Sequence, residues 1–367
     1  MNILITGAKG FIGQNLKVHL EQNKSYHVMP YDQDSSLDDL DAYTKCADFV
    51  VHLAGVNRPE NPNEFMEGNF GFTSTLLNHL IKHKNRAPIL ISSSIQALLN
   101  NPYGESKKAG EDLLINYGKE HDVKVYIYRF PNVFGKWCRP NYNSVVATFC
   151  YNITHDIPIS ISNPDNELNL FYIDDLIASI SQLIESGSDT VFQEVSPVHP
   201  IKLGELAELI KSFHASRSNL SIPRTDDLLT KKLYATYLTY VPKDHFKYPL
   251  KMNVDHRGSF TEVIKTLDRG QVSINISKPG ITKGNHWHHT KNEKFLVVYG
   301  KGMIRFRHVI TNEIVEYHVS GELLEVVDIP PGYTHNIENI GDTDMVTLMW
   351  VNEIYDQNRP DTIFLEV

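Results

Sequence analysis

With 367 residues, 41% apolar and 22% charged, the chain exceeds the size of one hydrophobic core and has the composition of an ordinary globular protein, so two domains are expected. A formal net charge of −9 argues against general nucleic-acid binding, and no apolar run approaches the length of a membrane span. Three scattered cysteines, Cys46, Cys138 and Cys150, exclude a disulfide framework; with a first strand starting at residue 2 and no leader-like stretch before it, a reducing, cytoplasmic setting is the expectation.

Residues 2–6 read as a buried strand, and Gly7-Ala-Lys-Gly10-Phe11-Ile12-Gly13 follows as a turn that opens a helix over 14–20. Gly7 makes the turn, Gly10 lets a pyrophosphate approach, and Gly13 lets the helix pack on the strand; the unpaired amides of the helix start, around Phe11 and Ile12, then face the phosphates. The second strand ends near Asp32. An acidic residue there hydrogen-bonds the adenosine ribose of NAD and repels the extra phosphate of NADP, whereas Lys9 inside the turn can reach a phosphate. These residues leave the choice between the two cofactors open. Phe49-Val-Val-His52 reads as a further buried strand, running into Leu53-Ala54-Gly55 beside the cofactor.

A strand over 89–94 ends in three serines, and nine residues past Ser94 comes Tyr103-Gly-Glu-Ser-Lys107 on a helical run. Tyrosine and lysine four apart share a helix face, so the ammonium is expected to lower the phenol's pKa and let Tyr103 trade a proton with a carbonyl oxygen. Ser94 is positioned to give that oxygen a second hydrogen bond. Together with Asn69, Arg129-Phe-Pro-Asn132-Val-Phe-Gly135 and Tyr172-Ile-Asp-Asp175, these pieces resemble the short-chain dehydrogenase/reductase superfamily, in its extended, nucleotide-sugar branch, over about residues 1 to 240. The resemblance implies a Rossmann-type fold, cofactor contacts from the residues named above and from Tyr103 and Lys107, and substrate contacts from Ser94 and Asn132. The interval from Ser94 to Tyr103 is shorter than in sugar epimerases of that branch, which implies a trimmed covering loop and a more open site. Beyond it, Lys136 and Arg139 can contact a nucleotide diphosphate and Trp137 or Tyr142 can stack on a uracil; a solvated basic loop around one buried aromatic fits the same residues equally.

Residues 241–249 carry two prolines and no periodicity, and read as a linker. Alternating short strands with glycine turns follow, the pattern of an all-β barrel or sandwich. Within it, Gly280-x5-His286-x-His288-x4-Glu293-x6-Gly300 and Pro330-x-Gly332-x2-His335-x3-Asn339 place two imidazoles and a carboxylate close in sequence and a third imidazole far along the chain. These are ligand types for zinc or another first-row divalent ion. The two stretches resemble the two-part signature of the cupin jelly roll, over about residues 252 to 367, except that Leu324 stands where a glycine is usual. His289 points away from that set. Asp255-His-Arg-Gly-Ser-Phe260 adds a likeness to the nucleotide-sugar 3,5-epimerases within the cupins, which use a histidine, often without a metal, as base beside a 4-keto group. His286 holds that position, so metal ligand and general base are both open to it.

Over its whole length the chain resembles the bifunctional epimerase/reductases of UDP-N-acetyl-L-fucosamine synthesis, the CapF type of capsule and O-antigen pathways. The resemblance implies a reductase domain at 1–243, a cupin epimerase domain at 252–367, NADPH, a divalent metal and a homodimer. It also implies C3 epimerisation of UDP-2-acetamido-2,6-dideoxy-β-L-arabino-4-hexulose and then C4 reduction to the 6-deoxy-L-talose sugar. Two alternatives remain. One is a 4-keto-sugar reductase whose cupin only binds sugar or assists dimerisation; the other is a nucleotide-sensing regulator, against which the intact Ser94, Tyr103 and Lys107 set argues.

Overall fold

The structure, a computed structural model, describes residues 1–367 apart from Glu60, Pro62, Arg359 and the side chain of Asn63. It divides into two compact units, 1–211 with 225–242, and 212–224 with 243–367.

In the first unit five parallel strands, β1 (Asn2–Thr6), β2 (His27–Tyr31), β3 (Phe49–His52), β4 (Ile89–Ser94) and β5 (Val125–Phe130), stand in the order β2-β1-β3-β4-β5. Parallel neighbours require crossovers, supplied by helices α1 (Phe11–Leu20), α2 (Leu37–Cys46), α3 (Asn63–Phe65), α4 (Phe72–His83) and α5 (Pro102–His121). Side chains alternate across the sheet, and both faces are apolar because both are covered. Ile3, Ile5, Val51 and Tyr126 pack with Leu16 of α1 and with Leu176 and Ile180 of the later helix Ile173–Ser186. Leu4, Val50, Ile89 and Ile127 pack on the other face with Leu40, Leu76, Leu80 and Leu114. The chain leaves β1 for β2 on one side and returns to β3 on the other, which opens a crevice at the carboxyl ends of β1 and β3. A small sheet of β6 (Asn132–Phe134), β7 (Glu167–Tyr172) and β8 (Val198–Lys202) follows.

The second unit holds two antiparallel sheets. One orders β16 (Val326–Ile329), β13 (Glu293–Tyr299), β18 (Met345–Val351), β11 (Gly270–Ser277), β10 (Gly258–Thr266) and β9 (Met252–Asp255); the other β15 (Ile314–Ser320), β14 (Lys301–His308), β17 (Tyr333–Asn339), β12 (Thr282–Trp287) and β19 (Ile363–Phe364). Phe295, Val297 and Ile329 from the first meet Ile304, Phe306 and Ile337 from the second in one core. The expected fold class, a parallel α/β unit followed by an all-β unit, is what the chain adopts. Among the described residues no helix is long and apolar enough to cross a membrane.

Candidate active sites

The crevice of the first unit is a cleft of about 1000 Å³. Its floor is the glycine turn. Gly7 has φ +72° and its amide donates to the Tyr31 carbonyl at 2.9 Å; a Cβ there would lie 2.7 Å from the Ala54 nitrogen, and one on Gly13 2.2 Å from the Gly7 carbonyl oxygen. Only glycine lets the helix sit this close to the strand. Gly10 caps α1 without a side-chain hydrogen bond and no acidic residue stands in the first turn, so the amides at Phe11, Ile12 and Gly13 are left for an anion. A cleft with uncapped amides behind a turn no Cβ could enter fits a dinucleotide. Lys9, Asp32, Leu53, Ala54, Gly55, Tyr103 and Lys107 line the same cleft, so every residue expected at the cofactor is gathered there.

At the other end, Asn101 caps α5 by accepting from the Gly104 amide at 2.9 Å, and Pro102 opens the helix, which fixes Tyr103 in its first turn and Lys107 one turn on. Gly104 is obligatory, since a Cβ would meet the Gln96 carbonyl oxygen at 2.2 Å. Lys107 is buried; its Nζ donates to the Ser92 carbonyl at 3.2 Å and lies 5.8 Å from the Tyr103 ring centre. Burial pulls its pKa down to about 8, opposed by the Glu111 carboxylate, which pushes it up.

The expected depression of the Tyr103 pKa is not what the structure gives. Burial raises it and outweighs a lowering hydrogen bond with Ser94, and the phenol donates at 3.1 Å to Asn57 Oδ1. Asn57 is a residue the sequence reading missed, because a polar loop residue carries no pattern that marks its direction. Ser94 Oγ accepts from the Gln96 amide at 3.2 Å, which leaves its own hydrogen to donate.

Asn132 and Arg139 line the cleft, but Lys136 does not; its ammonium is tied to Asp174. Arg139 stacks over the Tyr142 ring at 5.3 Å, with Arg58 on the same ring at 6.0 Å, while Trp137 stands half exposed. Arg58 is a second residue missed from sequence, again for want of any periodic signal in its loop. His52 is fully hydrogen-bonded. Its Nδ1 meets Thr6 Oγ1 at 2.7 Å and its Nε2 meets Thr73 Oγ1 at 2.8 Å; burial, helped by the Lys107 charge, lowers its pKa to about 3.

In the second unit, β12 and β17 pair so that His286 lies opposite His335. A bulge between Gly284 and His286, with Asn285 at φ +58°, turns the strand there. His288 follows just past the strand end and Glu293 opens β13. One ligand atom from each of His286, His288, Glu293 and His335 lies within 4.8 Å of the others. His288 Nδ1 faces the Asp361 carbonyl, which can only accept, so Nδ1 carries a proton and donates it while Nε2 points to the cluster. Asp361 also holds the intervening loop, its carboxylate accepting from the amides of His289, Thr290 and Lys291 at 3.0, 2.9 and 2.9 Å. His289 itself is exposed, as expected of a bystander.

Three atoms of the cluster, His288 Nε2, His335 Nε2 and Glu293 Oε2, are buried without a hydrogen-bond partner. Glu293 Oε2 lies 3.2 Å from His335 Nε2 and 3.7 Å from His288 Nε2, close but outside hydrogen-bond geometry. Burial pushes the Glu293 carboxyl up, and the two imidazoles more than reverse that, to about 2; burial, with the neighbouring His335, lowers His286 to about 4. Glu293 thus stands as a buried carboxylate among three imidazoles, a set that fits a divalent cation by the atoms it leaves unpaired. His286, Glu293 and His335 also line a cavity of about 250 Å³, with Arg257 and Lys283 on its wall.

Residues 3–193 match the NAD dependent epimerase/dehydratase family, and residues 253–363 the polysaccharide biosynthesis C-terminal domain. The sequence is 45% identical, over 99% of this chain and 98% of the relative, to a UDP-2-acetamido-2,6-beta-L-arabino-hexul-4-ose reductase of Pseudomonas aeruginosa. The crystal structure of the capsular polysaccharide assembling protein CapF from Staphylococcus aureus matches with a TM-score of 0.94 at 56% identity, covering 100% of both chains. A UDP-glucuronic acid 4-epimerase of Bacillus cereus, solved with UDP-glucuronic acid and NAD, matches 65% of this chain and 99% of its own at a TM-score of 0.56 and 19% identity, a likeness of fold alone.

Proposed function

The chain belongs to the NAD dependent epimerase/dehydratase family and is of the CapF type, and from that premise we propose that it performs two steps on one UDP-4-keto-sugar. Residues 252–367 invert C3 of UDP-2-acetamido-2,6-dideoxy-β-L-arabino-4-hexulose, and residues 1–243 then reduce C4 to give UDP-2-acetamido-2,6-dideoxy-L-talose. The observation that carries this reading is that one chain holds two separate sites: an assembled Ser94, Tyr103 and Lys107 set on a dinucleotide cleft, and a cluster of unpaired imidazole and carboxylate atoms on a second cavity.

For reduction, a bound dinucleotide supplies the hydride to C4; the resemblance implies NADPH. Ser94 Oγ, its acceptor side already used by the Gln96 amide, donates to the sugar O4. Tyr103 exchanges its Asn57 acceptor for the same oxygen and gives it the phenolic proton as the new C–H bond forms. Lys107, held near its own titration point by burial, stands behind the phenol to offset the charge left there. Arg139 and Asn132, on the cleft wall, are assigned to the nucleotide and the sugar; Lys136, tied to Asp174, would have to change partners to join them.

For epimerisation, His288, Glu293 and His335 would hold a divalent cation, zinc by its donor set, with His286 in reach as fourth ligand. Such an ion supplies Lewis acidity toward a keto oxygen. His286, neutral down to about pH 4 and on the cavity wall, is equally able to take the C3 proton, and return of a solvent-derived proton to the opposite face of the enolate inverts the carbon. A cytoplasmic homodimer completes the proposal, and light scattering of the purified chain tests its assembly.

The test is deuterium wash-in at C3 of the 4-keto substrate in D2O without dinucleotide. Deuterium is expected to enter with wild type and Tyr103→Phe but not with His286→Ala. Exchange that survives chelation yet is lost in His286→Ala makes His286 the base; loss in both, together with loss of bound metal in His286→Ala, makes it a ligand. If no form exchanges the C3 proton, epimerisation is ruled out and the chain is a reductase with a binding domain.

A further inference from the structure

Resting on the proposed reductase, we infer that this chain takes NADH in preference to the NADPH that the family resemblance implies, and that Asp32 sets the choice. The cation that would have to bind a 2′-phosphate is already paired. Lys9 Nζ is paired with Asp34, and among the described residues no other lysine or arginine lines the adenosine end of the cleft; Lys107 lies beside Tyr103 at the far end and Arg139 beside Tyr142.

Asp32, immediately after β2, is pinned at that end by backbone. The Lys9 amide donates to its Oδ2 at 2.7 Å and the Gln33 amide to its Oδ1 at 2.8 Å. Each carboxylate oxygen keeps a free lone pair on the cleft, the acceptors that two ribose hydroxyls need. A 2′-phosphate in place of the hydroxyl would bring close to two further negative charges against a carboxylate that cannot swing away, since both of its oxygens are tethered.

The Lys9–Asp34 pair is solvent-exposed, so Lys9 is free to change partners at small cost. Recruiting it leaves Asp34 uncompensated beside Asp32. The stretch Asp32-Gln-Asp34-Ser-Ser-Leu-Asp38-Asp39 carries four carboxylates and no cation, and so adds repulsion whichever way Lys9 turns.

Calorimetric titration of the full chain with NADH and with NADPH reads this directly, without turnover. Wild type is expected to bind NADH about tenfold or more tightly than NADPH, the worth of charge-assisted bonds to the ribose hydroxyls. Asp32→Ser should weaken NADH by about the same factor and tighten NADPH. Tighter binding of NADPH by wild type overturns the inference and leaves the reductase standing. So does a selective loss of NADPH affinity in Lys9→Ala from a wild type that does not discriminate. Binding of neither dinucleotide overturns the inference and the reductase reading together.

Discussion

Both units bury histidines, and they treat the ring nitrogens differently. In the first, His52 is 1% exposed and each ring nitrogen meets a threonine hydroxyl; around it Glu111 accepts from Ser93 Oγ at 2.6 Å and from Arg129 Nε at 2.8 Å, and Lys107 has the Ser92 carbonyl. In the second, His335 and His288 are 0% and 2% exposed, and each leaves its Nε2 unpaired toward an equally unpaired Glu293 oxygen. Burial alone does not tell a structural histidine from a ligand. The two sets differ in whether the protein itself has closed the hydrogen bonds, and an unpaired buried polar atom costs about 1–3 kcal/mol when nothing else meets it.

The sharpest way to break the contrast is to look for the missing partner. The purified protein should carry a divalent cation on each chain, and His335→Ala should carry none, by elemental analysis. Stripping the ion from wild type should lower the stability of the second unit by on the order of 4 kcal/mol, the linkage for an ion held at about a thousand times its Kd. A metal-free wild type that neither binds zinc nor changes its melting temperature with it would show that the unpaired atoms are not a ligand set.

Within the first unit the site is built from protein groups, so removing one should cost chemistry and leave metal alone. Tyr103→Phe is expected to lower kcat for reduction by about 10²- to 10⁴-fold with unchanged cation content. A loss under tenfold would mean that some other group protonates O4.

His52 tests the structural side. His52→Leu deprives Thr6 of a partner and should destabilise by about 1–2 kcal/mol near neutral pH, with cation content intact. Its pH signature has a definite sign. The folded pKa is near 3 and the unfolded one near 6.5, so between them the unfolded chain binds the extra proton and stability falls as pH falls. Wild type should therefore lose up to about 1.4 kcal/mol per pH unit more than His52→Leu across that window. Parallel acid-unfolding curves would place His52 protonated in the native state.

What was legible beforehand follows the same division. The glycine turn, the apolar strands and the histidine spacing each depend on residues close in sequence, and strand and helix periods carry that information. The carboxylate and imidazole cluster was legible because β12 and β13 are near neighbours and His335 sits in its own bracket of Pro330 and Gly332. Long-range pairing of polar side chains was not. That Lys136 is tied to Asp174, that Lys9 is tied to Asp34, that Tyr103 bonds Asn57 and that Asp361 clamps the loop before Glu293 all depend on where flexible side chains come to rest. Two residues four apart share a helix face by geometry, but burial decided the pKa of Tyr103, and burial is a property of the folded unit.

The finest test concerns Lys107, a buried cation of the cleft. Lys107 has a folded pKa near 8 against 10.5 unfolded, so below pH 8 the native state carries an ammonium that burial disfavours. Between pH 8 and 10.5 the unfolded chain binds the extra proton, and wild-type stability rises with pH by this group's share. Lys107→Met removes the ammonium but strands the Ser92 carbonyl, so the variant should be more stable at pH 7 by only on the order of 1–2 kcal/mol, with reduction impaired. The advantage should close as pH climbs from 8 to 10.5, followed by denaturant unfolding of both proteins across that range. A variant that is less stable at pH 7, by a margin that pH does not move, would mean that Glu111 stabilises the ammonium more than burial penalises it. The first unit would then have paired every charge it buries, and Lys107 would be no exception held there for chemistry.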